Sequence, residues 1–288
     1  MMKLLRDRKV RDVLWQAAGA LALIALVWFF VRNASENMVK AGIASGFQFL
    51  GRDSGIEVPF NLTGYKPSDT ILALLWTGIV NTLLVSAVSI VVATAIGFSV
   101  GLLRLSRNWL LSTLAGFYVE FVRNIPLLFF VLFWYFGAPQ ILPQFIKDWL
   151  YSLNYEAASA VIALVLYTAA YMAEDIRSGI RSIPKEQLEA SRALGLSFLQ
   201  AMRLVVLPQS LRVTVPPLVS QTLSLWKNSS IAMVIGVAEL MYQAQQVESA
   251  TFRGFEAFAF ATAAYLTISI AITVFSAWYQ HRYPVRTL

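Results

Sequence analysis

Long stretches without a charged residue recur along this chain and leave few folds open to it. Residues 71–103 form an uncharged run of 33, and residues 13–31 a run of 19. A helix needs about 20 apolar residues to cross a hydrocarbon core of about 30 Å. Only 14% of the residues are charged, against roughly a quarter in soluble domains. We therefore predict an all-α, multi-pass membrane protein.

Six transmembrane helices are predicted, and two of them contain helix-breaking residues. The run at 109–143 is interrupted at Asn124–Pro126, and the run at 213–237 at Pro216 and Pro217. The N-terminal run at 13–31 is longer than the apolar part of a signal peptide, and no A-x-A site follows it, so we interpret it as a retained span. The six runs are 13–31, 71–103, 109–143, 157–173, 213–237 and 257–280.

The distribution of Lys and Arg predicts the orientation in the membrane. With the N-terminus inside, the inner segments 1–12, 104–107, 177–212 and 281–288 hold fifteen Lys and Arg, and the outer segments 33–70, 139–156 and 239–256 hold five. Cytoplasmic loops carry such an excess, so both termini and the segment 181–213 are predicted to be cytoplasmic. The net charge of +7 is then a topology signal, and no nucleic-acid partner is expected.

Composition excludes several kinds of catalytic site. The chain has no cysteine and a single histidine, His281, near its C-terminus. This composition argues against thiolate and multi-histidine metal sites and against a Ser-His-Asp triad within the membrane. No G-x-x-x-x-G-K-[ST] phosphate loop is present, so no nucleotide hydrolysis by that route is expected. We predict no metal and no cofactor in this chain.

The polar segment 181–213 is predicted to be a helical hairpin. Pro184 suits a first helical turn, and Gly195 suits the left-handed residue after a helix end. Ser197 and Gln200 form a capping box that starts a second helix, which should stop before Pro208. A folded hairpin between two spans is typical of a docking surface.

The spacing of residues in this hairpin resembles a known signature. The hairpin is similar to the EAA motif of ABC importer permeases, which reads E-A-A, x3, G, x9, I-x-L-P. The matching residues are Glu189-Ala190-Ser191, then Gly195 after three residues, and then, after nine more, the stretch 205–208, which ends in Leu207-Pro208. The chain departs from it at Ser191 and Val205. Stretches 118–127, 170–177 and 226–240 resemble the polar amino-acid permeases, and the extra first span resembles general L-amino-acid and glutamate/aspartate permeases of Gram-negative bacteria.

That resemblance implies a type I importer core of five spans within 71–288, with an N-terminal helix and periplasmic loop at 1–70 and a coupling hairpin at 181–213. It implies a bacterial inner-membrane location and a transport subunit without enzymatic activity. The implied partners are two ATPase subunits that bind ATP and Mg, a periplasmic amino-acid-binding protein, lipid, and a second permease, a paralogue or an identical copy. The extra span favours a paralogue. The ATPase contacts would be Glu189, Ala190, Ser191, Gly195, Leu207 and Pro208.

Polar residues within the predicted spans are candidates for the substrate path, because charge in a membrane usually faces a partner or water. Glu120 and Arg123 lie on one helical face and can form a structural ion pair, or can border a cavity at the Asn124–Pro126 break. Tyr135 lies in an aromatic run that either lines the path or packs. The candidates are Arg123, Asn124, Tyr135, Glu174, Lys227, Asn228, Ser229 and Ser230.

Lys227 to Ser230 form the densest of these groups. A cation followed by three hydrogen-bonding side chains can bind a substrate carboxylate; alternatively, Lys227 extends to the membrane surface or pairs with Glu174 or Glu239. The neutral Asn228 favours neutral or acidic amino acids over basic ones. Two other classes stay open, a stand-alone ion-coupled carrier and an intramembrane enzyme. The first usually shows internal repeats and the second needs a nucleophile and a base, and we find neither here.

Overall fold

The computed structural model describes residues 8–40 and 46–282, and all of its regular secondary structure is helical. The chain divides into two compact units, residues 1–49 and 50–288. The first contains α1, Arg8–Lys40, which continues nine residues beyond the predicted run with an Arg32–Glu36 ion pair of 2.7 Å on its surface. The ends of both predicted cytoplasmic termini, 1–7 and 283–288, lie outside the described residues.

The described part of the second unit, residues 50–282, forms eleven α-helices with short 3-10 and π turns between them. Their bounds are α2 Ile71–Leu103, α3 Trp109–Arg123, α4 Leu127–Leu132, α5 Ala138–Ile141, α6 Gln144–Ser152, α7 Tyr155–Arg181, α8 Lys185–Ala193, α9 Phe198–Ala201, α10 Leu207–Asn228, α11 Leu240–Thr251 and α12 Gly254–Arg282. Within the described residues, four helices are long and apolar enough to cross a membrane. They are Arg11–Asn37 within α1, and α2, α7 and α12.

The break at Asn124–Pro126 gives the bend expected there. Helix α3 and the segment Leu127–Ile141 meet at 108°, and they make a fifth crossing if the bent pair is counted as one span. Pro126 has no N–H to donate and keeps the residue before it out of the helical region, so the helix ends at Arg123. A π turn, Phe133–Gly137, then joins α4 to α5.

Helices α2, α7 and α10 form the centre of this unit. Small residues let α2 and α7 approach closely: a Cβ on Gly97 would lie 2.8 Å from Met172 Cβ, and one on Gly101 2.9 Å from the Ala173 carbonyl oxygen. Such close backbone contact is typical of helix pairs in membranes, where apolar burial gives little net gain and packing decides. The result is a tightly packed pair against which the polar positions of α7 are held in place.

The predicted helix stop before Pro208 is wrong. Helix α9 continues through a π turn, Met202–Val206, directly into α10, in which Pro208 lies in the first turn. The missing N–H of proline costs nothing in a first turn, and the wider π turn accommodates its ring. Helix α10 also continues through Pro216 and Pro217 and then passes into a 3-10 turn, Ser229–Ile235, which ends at Gly236 with φ +87°.

The closest approach of α7 to α10 makes a testable prediction. A Cβ on Gly179 would lie 1.9 Å from Thr214 Oγ1 and 3.1 Å from Thr214 Cβ. We expect Gly179→Ala to lower the stability of the protein by about 1–3 kcal/mol through overpacking, and Thr214→Ala added to it to restore most of the loss. Gly116→Ala in α3 is the control, since its Cβ would meet only Arg104 Nε at 3.9 Å. Thermal unfolding in lipid nanodiscs measures all three; equal melting temperatures would contradict the packing described.

Candidate functional site

The hairpin at 181–213 is built by two sharply defined helix ends. Pro184 is the N-cap of α8, one position before the predicted one, and Gly195 has φ +87° after its C-terminal end. Leu196 N donates to the Ser191 carbonyl and Gly195 N to the Arg192 carbonyl, which is a Schellman motif. The predicted capping box is present in full between Ser197 and Gln200. Gln209 of α10 donates to Gln187 of α8 at 3.0 Å and ties the two arms together.

The hairpin presents large apolar side chains to its surroundings. Leu194 is 84% exposed, Leu199 76%, and Phe198 and Leu204 are also more than half exposed. A group of exposed apolar residues beside charged ones marks a protein–protein contact surface. The sequence signature did not point to these four residues, although their position around Gly195 could have done so.

The predicted contact residues of the hairpin differ in accessibility. Glu189, Ala190, Gly195 and Pro208 are exposed and Leu207 is half-buried. Ser191 is buried, and its hydroxyl donates to the Gln187 carbonyl at 2.6 Å. In this arrangement Ser191 stabilises α8 from the inside, while Glu189 and Ala190 face outward.

A cavity of about 200 Å³ lies between the two central helices α7 and α10. Its wall is polar for a site within membrane-spanning helices, with four hydroxyls, two amides and a single leucine. The lining residues are Tyr167, Thr168, Tyr171, Gln221, Ser224, Leu225 and Asn228. We call it the inner cavity.

Two opposite charges lie next to the inner cavity. Gln221 Nε2 donates to Asp175 Oδ2 at 3.1 Å, so the carboxylate is held beside the lining amide. The guanidinium of Arg123 lies over the ring of Tyr171, 5.3 Å from its centre, and the Tyr171 hydroxyl donates to the Arg123 carbonyl at 3.4 Å. A cation and a carboxylate flanking a polar cavity suit a ligand that carries both charges.

The predicted cluster Lys227 to Ser230 is not brought to one place. Asn228 lines the inner cavity, whereas Lys227 and Ser230 line a more open, largely apolar cavity of about 450 Å³ with Met241. Ser229 is fully buried and donates to the Trp226 carbonyl at 2.7 Å. The reason is helical geometry, because consecutive residues of a helix point about 100° apart.

Of the alternatives for Lys227, the ion pair with Glu174 or Glu239 is not formed. Glu239 is the N-cap of α11 and accepts hydrogen bonds from Met241 N, Tyr242 N and the Tyr265 hydroxyl, at 2.7 to 2.9 Å. It lies outside the candidate spans, and burial raises the pKa of its carboxyl to about 7, although these hydrogen bonds lower it. Glu239 therefore fixes the start of α11.

The expected Glu120–Arg123 ion pair is also absent. Arg104 contacts Glu120 at 3.4 Å and forms a much closer pair with Glu174, which also pairs with Arg177. Helix α3 ends at Arg123, so this side chain is directed to Tyr171 of α7. This ionic cluster joins α2, α3 and α7 at the predicted cytoplasmic end, and Glu174 belongs to it.

Two remaining candidates lie away from the inner cavity. Asn124 is the C-cap of α3, and its amide donates to the Glu120 carbonyl at 2.6 Å. Tyr135 lines a separate cavity near the predicted outer surface.

Sequence reasoning missed four lining residues of the inner cavity, Tyr167, Thr168, Gln221 and Ser224. The available signal was the i, i+3, i+4 and i+7 spacing of residues 221, 224, 225 and 228, which places them on one face of a helix. Among the described residues no group of three or more His, Asp or Glu could hold a metal ion.

Comparison with known proteins gives consistent matches. The sequence profile of the binding-protein-dependent transport system inner membrane components matches residues 93–284. The general L-amino acid transport system permease protein AapQ of Rhizobium johnstonii is 30% identical, over 95% of this chain and 92% of its own length. The glutamate/aspartate import permease protein GltJ of Escherichia coli is 36% identical, over 75% and 87%. A solved amino acid ABC transporter with histidines has a TM-score of 0.66 at 29% identity, over 73% of this chain and 94% of its own.

Proposed function

This chain belongs to the family of binding-protein-dependent transport system inner membrane components and is an amino-acid ABC importer permease. We propose that it passes neutral or acidic L-amino acids through the inner cavity. The observation that carries this proposal is the polar inner cavity between α7 and α10, flanked by Arg123 and Asp175. An amino acid presents an ammonium and a carboxylate, and this arrangement offers a partner for each. The permease itself is a transport component and not an enzyme.

We propose six crossings with both termini in the cytoplasm of a bacterium, and the inner membrane as location. Helix α10 with its 3-10 extension, 207–235, would be the crossing that does not belong to the four long apolar helices, and it overlaps the run predicted at 213–237. The division into 1–70 and a permease domain 71–288 belongs to the same proposal. Its support is spatial: residues of all three predicted outer segments line one cavity, and Arg107 and Arg192 of the inner segments line another.

We propose that the hairpin binds an ATPase subunit through Glu189, Ala190, Gly195, Leu207 and Pro208, with Ser191 supporting α8 from within. The exposed Leu194, Phe198, Leu199 and Leu204 supply the apolar part of that contact. Two such ATPases would bind the ATP and Mg, a second permease would complete the path, and a periplasmic protein would deliver the amino acid. ATPase closure would move the hairpin and so open the inner cavity to alternate sides.

Copurification followed by mass spectrometry and uptake into proteoliposomes tests this assignment. We expect the tagged chain to bring down an ATPase and a second permease, and uptake of labelled L-glutamate or L-glutamine to require ATP and a binding protein. Uptake that persists without an ATPase, driven by an ion gradient alone, would refute the importer mechanism in favour of a stand-alone carrier. Release of a chemically altered amino acid would instead indicate an enzyme.

Replacing the side-chain amide of Asn228 with a carboxylate tests the inner cavity as the substrate site. We expect Asn228→Asp to tighten binding of L-arginine relative to L-glutamine by about tenfold, because a carboxylate adds a charge-assisted hydrogen bond worth roughly 1.5 kcal/mol or more. Equilibrium binding of labelled amino acids to the purified complex, without binding protein, is the measurement. Asn124→Asp is the matched control at the end of α3, and an equal effect there would place the site elsewhere.

A further inference from the structure

A second cavity, of about 290 Å³, lies at the predicted outer end of the permease, and we call it the outer cavity. Residues from all three predicted outer segments contribute to its wall: Pro59 and Phe60, then Asn154 and Glu156, then Tyr242. Its volume is at the small end of the range for ligand sites.

The wall of the outer cavity carries one charge, and that charge is negative. Glu156 makes no ion pair and no hydrogen bond with any described residue, and no Lys or Arg belongs to the described residues that line the cavity. Glu156 lies in the first turn of α7, where the helix dipole favours a carboxylate. No ion pair within the described chain offsets this carboxylate.

A buried acceptor without a partner belongs to the same cavity. Asn81 is 2% exposed; its amide nitrogen donates to the Phe60 carbonyl at 2.9 Å and to the Ala238 carbonyl at 2.8 Å. Its Oδ1 accepts no hydrogen bond. A buried acceptor left unsatisfied is costly, so a donor is expected at this oxygen. A carboxylate and an amide oxygen together suit a cationic donor.

The segment before α2 covers the outer cavity in an ordered conformation. Pro59 and Phe60 are its lining residues, and Asn81 holds the Phe60 carbonyl. The Thr63 and Thr77 hydroxyls are 2.7 Å apart, which fixes the segment to α2 a few residues later. Through these two side-chain contacts α2 holds the segment over the cavity.

The two cavities share helix α7. Glu156 of the outer cavity and Tyr167 of the inner cavity are eleven residues apart, about 17 Å along the helix axis. The one charged side chain of the outer cavity is a carboxylate, whereas the inner cavity is flanked by partners for both charges of an amino acid. A ligand that enters with its ammonium group first would meet the two in that order.

We propose that the outer cavity is an entry site that binds the ammonium group of the arriving amino acid at Glu156 and the Asn81 Oδ1, before the substrate reaches the inner cavity. This inference rests on the proposed function. Tyr135 and Tyr242 border the same site with their rings, and a ring face attracts a cation.

The test is the uptake of labelled L-glutamine, L-glutamate and L-leucine by the complete importer in proteoliposomes, as a function of the concentration of loaded binding protein. We expect Glu156→Gln to raise KM about tenfold and to leave kcat unchanged, with Glu156→Asp close to wild type. Glu57→Gln is the matched control, because Glu57 is an exposed carboxylate of the covering segment that does not line the cavity. Methylammonium chloride should inhibit the wild type more than Glu156→Gln.

Two further measurements keep the proposal open to refutation. If Glu156→Gln does not assemble, Ala157→Leu fills the same cavity and should raise KM in its place; an unchanged KM there overturns the proposal. Replacing sodium chloride with choline chloride should not slow the wild type, and a loss of rate would assign the cavity to Na⁺ instead. Equal KM values for Glu156→Gln and Glu57→Gln refute the entry site alone, whereas no uptake of any of the three amino acids by wild type refutes the proposed function as well.

Discussion

Replacing Gly195 with valine is expected to reduce ATP-dependent uptake more than tenfold and to abolish recovery of the ATPase with the permease. Gly195 has φ +87°, a conformation that costs a residue with a side chain about 1–2 kcal/mol and a β-branched one more. The added side chain would also stand in open space beside the exposed Leu194, where the proposed ATPase contact lies. Copurification and uptake measure the two effects separately.

The control for this variant separates backbone strain from lost contact. Gly64 also has a positive φ, +72°, and open space around its Cβ position, but it lies in the covering segment at the predicted outer side. Gly64→Val therefore carries a comparable strain without touching the hairpin, and we expect it to keep the ATPase bound. If both variants lose the ATPase alike, Gly195 acts through folding and the hairpin is not the docking surface.

Filling the inner cavity should stop transport without disturbing assembly. Ser224 is partly buried and lines this cavity of about 200 Å³, so Ser224→Phe places a ring where the substrate would bind. We expect uptake to fall more than tenfold while the ATPase still copurifies and its basal hydrolysis persists. The mechanism is steric exclusion in a closely packed interior, which cannot expand to receive both the ring and a substrate.

Ser230→Phe is the matched control, with the same change six residues along the chain. Ser230 lines the more open cavity beside Lys227, and that cavity has room for the ring. We expect its uptake to stay within about threefold of wild type. The reverse result, with Ser230→Phe inactive and Ser224→Phe active, would move the substrate path to the Lys227 face of α10 and contradict the site proposed here.

Local rules predicted the parts of this fold that neighbouring residues decide. The left-handed Gly195, the capping box at Ser197 and the break before Leu127 follow from backbone preferences over a few residues. The continuation through Pro208 does not, because a π turn depends on how α10 packs against the helices around it. The four long apolar helices, within α1 and in α2, α7 and α12, followed from apolar runs, and α10 begins six residues before its predicted run at 213–237.

The substrate candidates show the same limit of prediction from neighbouring residues. Composition drew attention to Lys227, Asn228, Ser229 and Ser230 together, but helical geometry directs them to three different environments. Closeness in sequence also gave the wrong ion pair. Arg104 pairs with Glu174, seventy residues away, while Glu120 and Arg123, three residues apart, form no ion pair. Contacts between distant helices need the packed structure, and the wall of the inner cavity consists of such contacts.

The unbroken path from α9 through the π turn into α10 has a mechanical consequence. From Phe198 to Asn228 the chain is helical without a break over 31 residues, a length of about 46 Å for a straight α-helix. Its tightest contact with α7 is at Thr214, close to the midpoint, where Gly179 leaves no space between the helices. A rotation of about 10° around that fulcrum displaces each end by about 4 Å in opposite directions. The hairpin and the inner cavity lie on opposite sides of Thr214 along this segment, so if the segment turns as a unit the two would move in opposite directions.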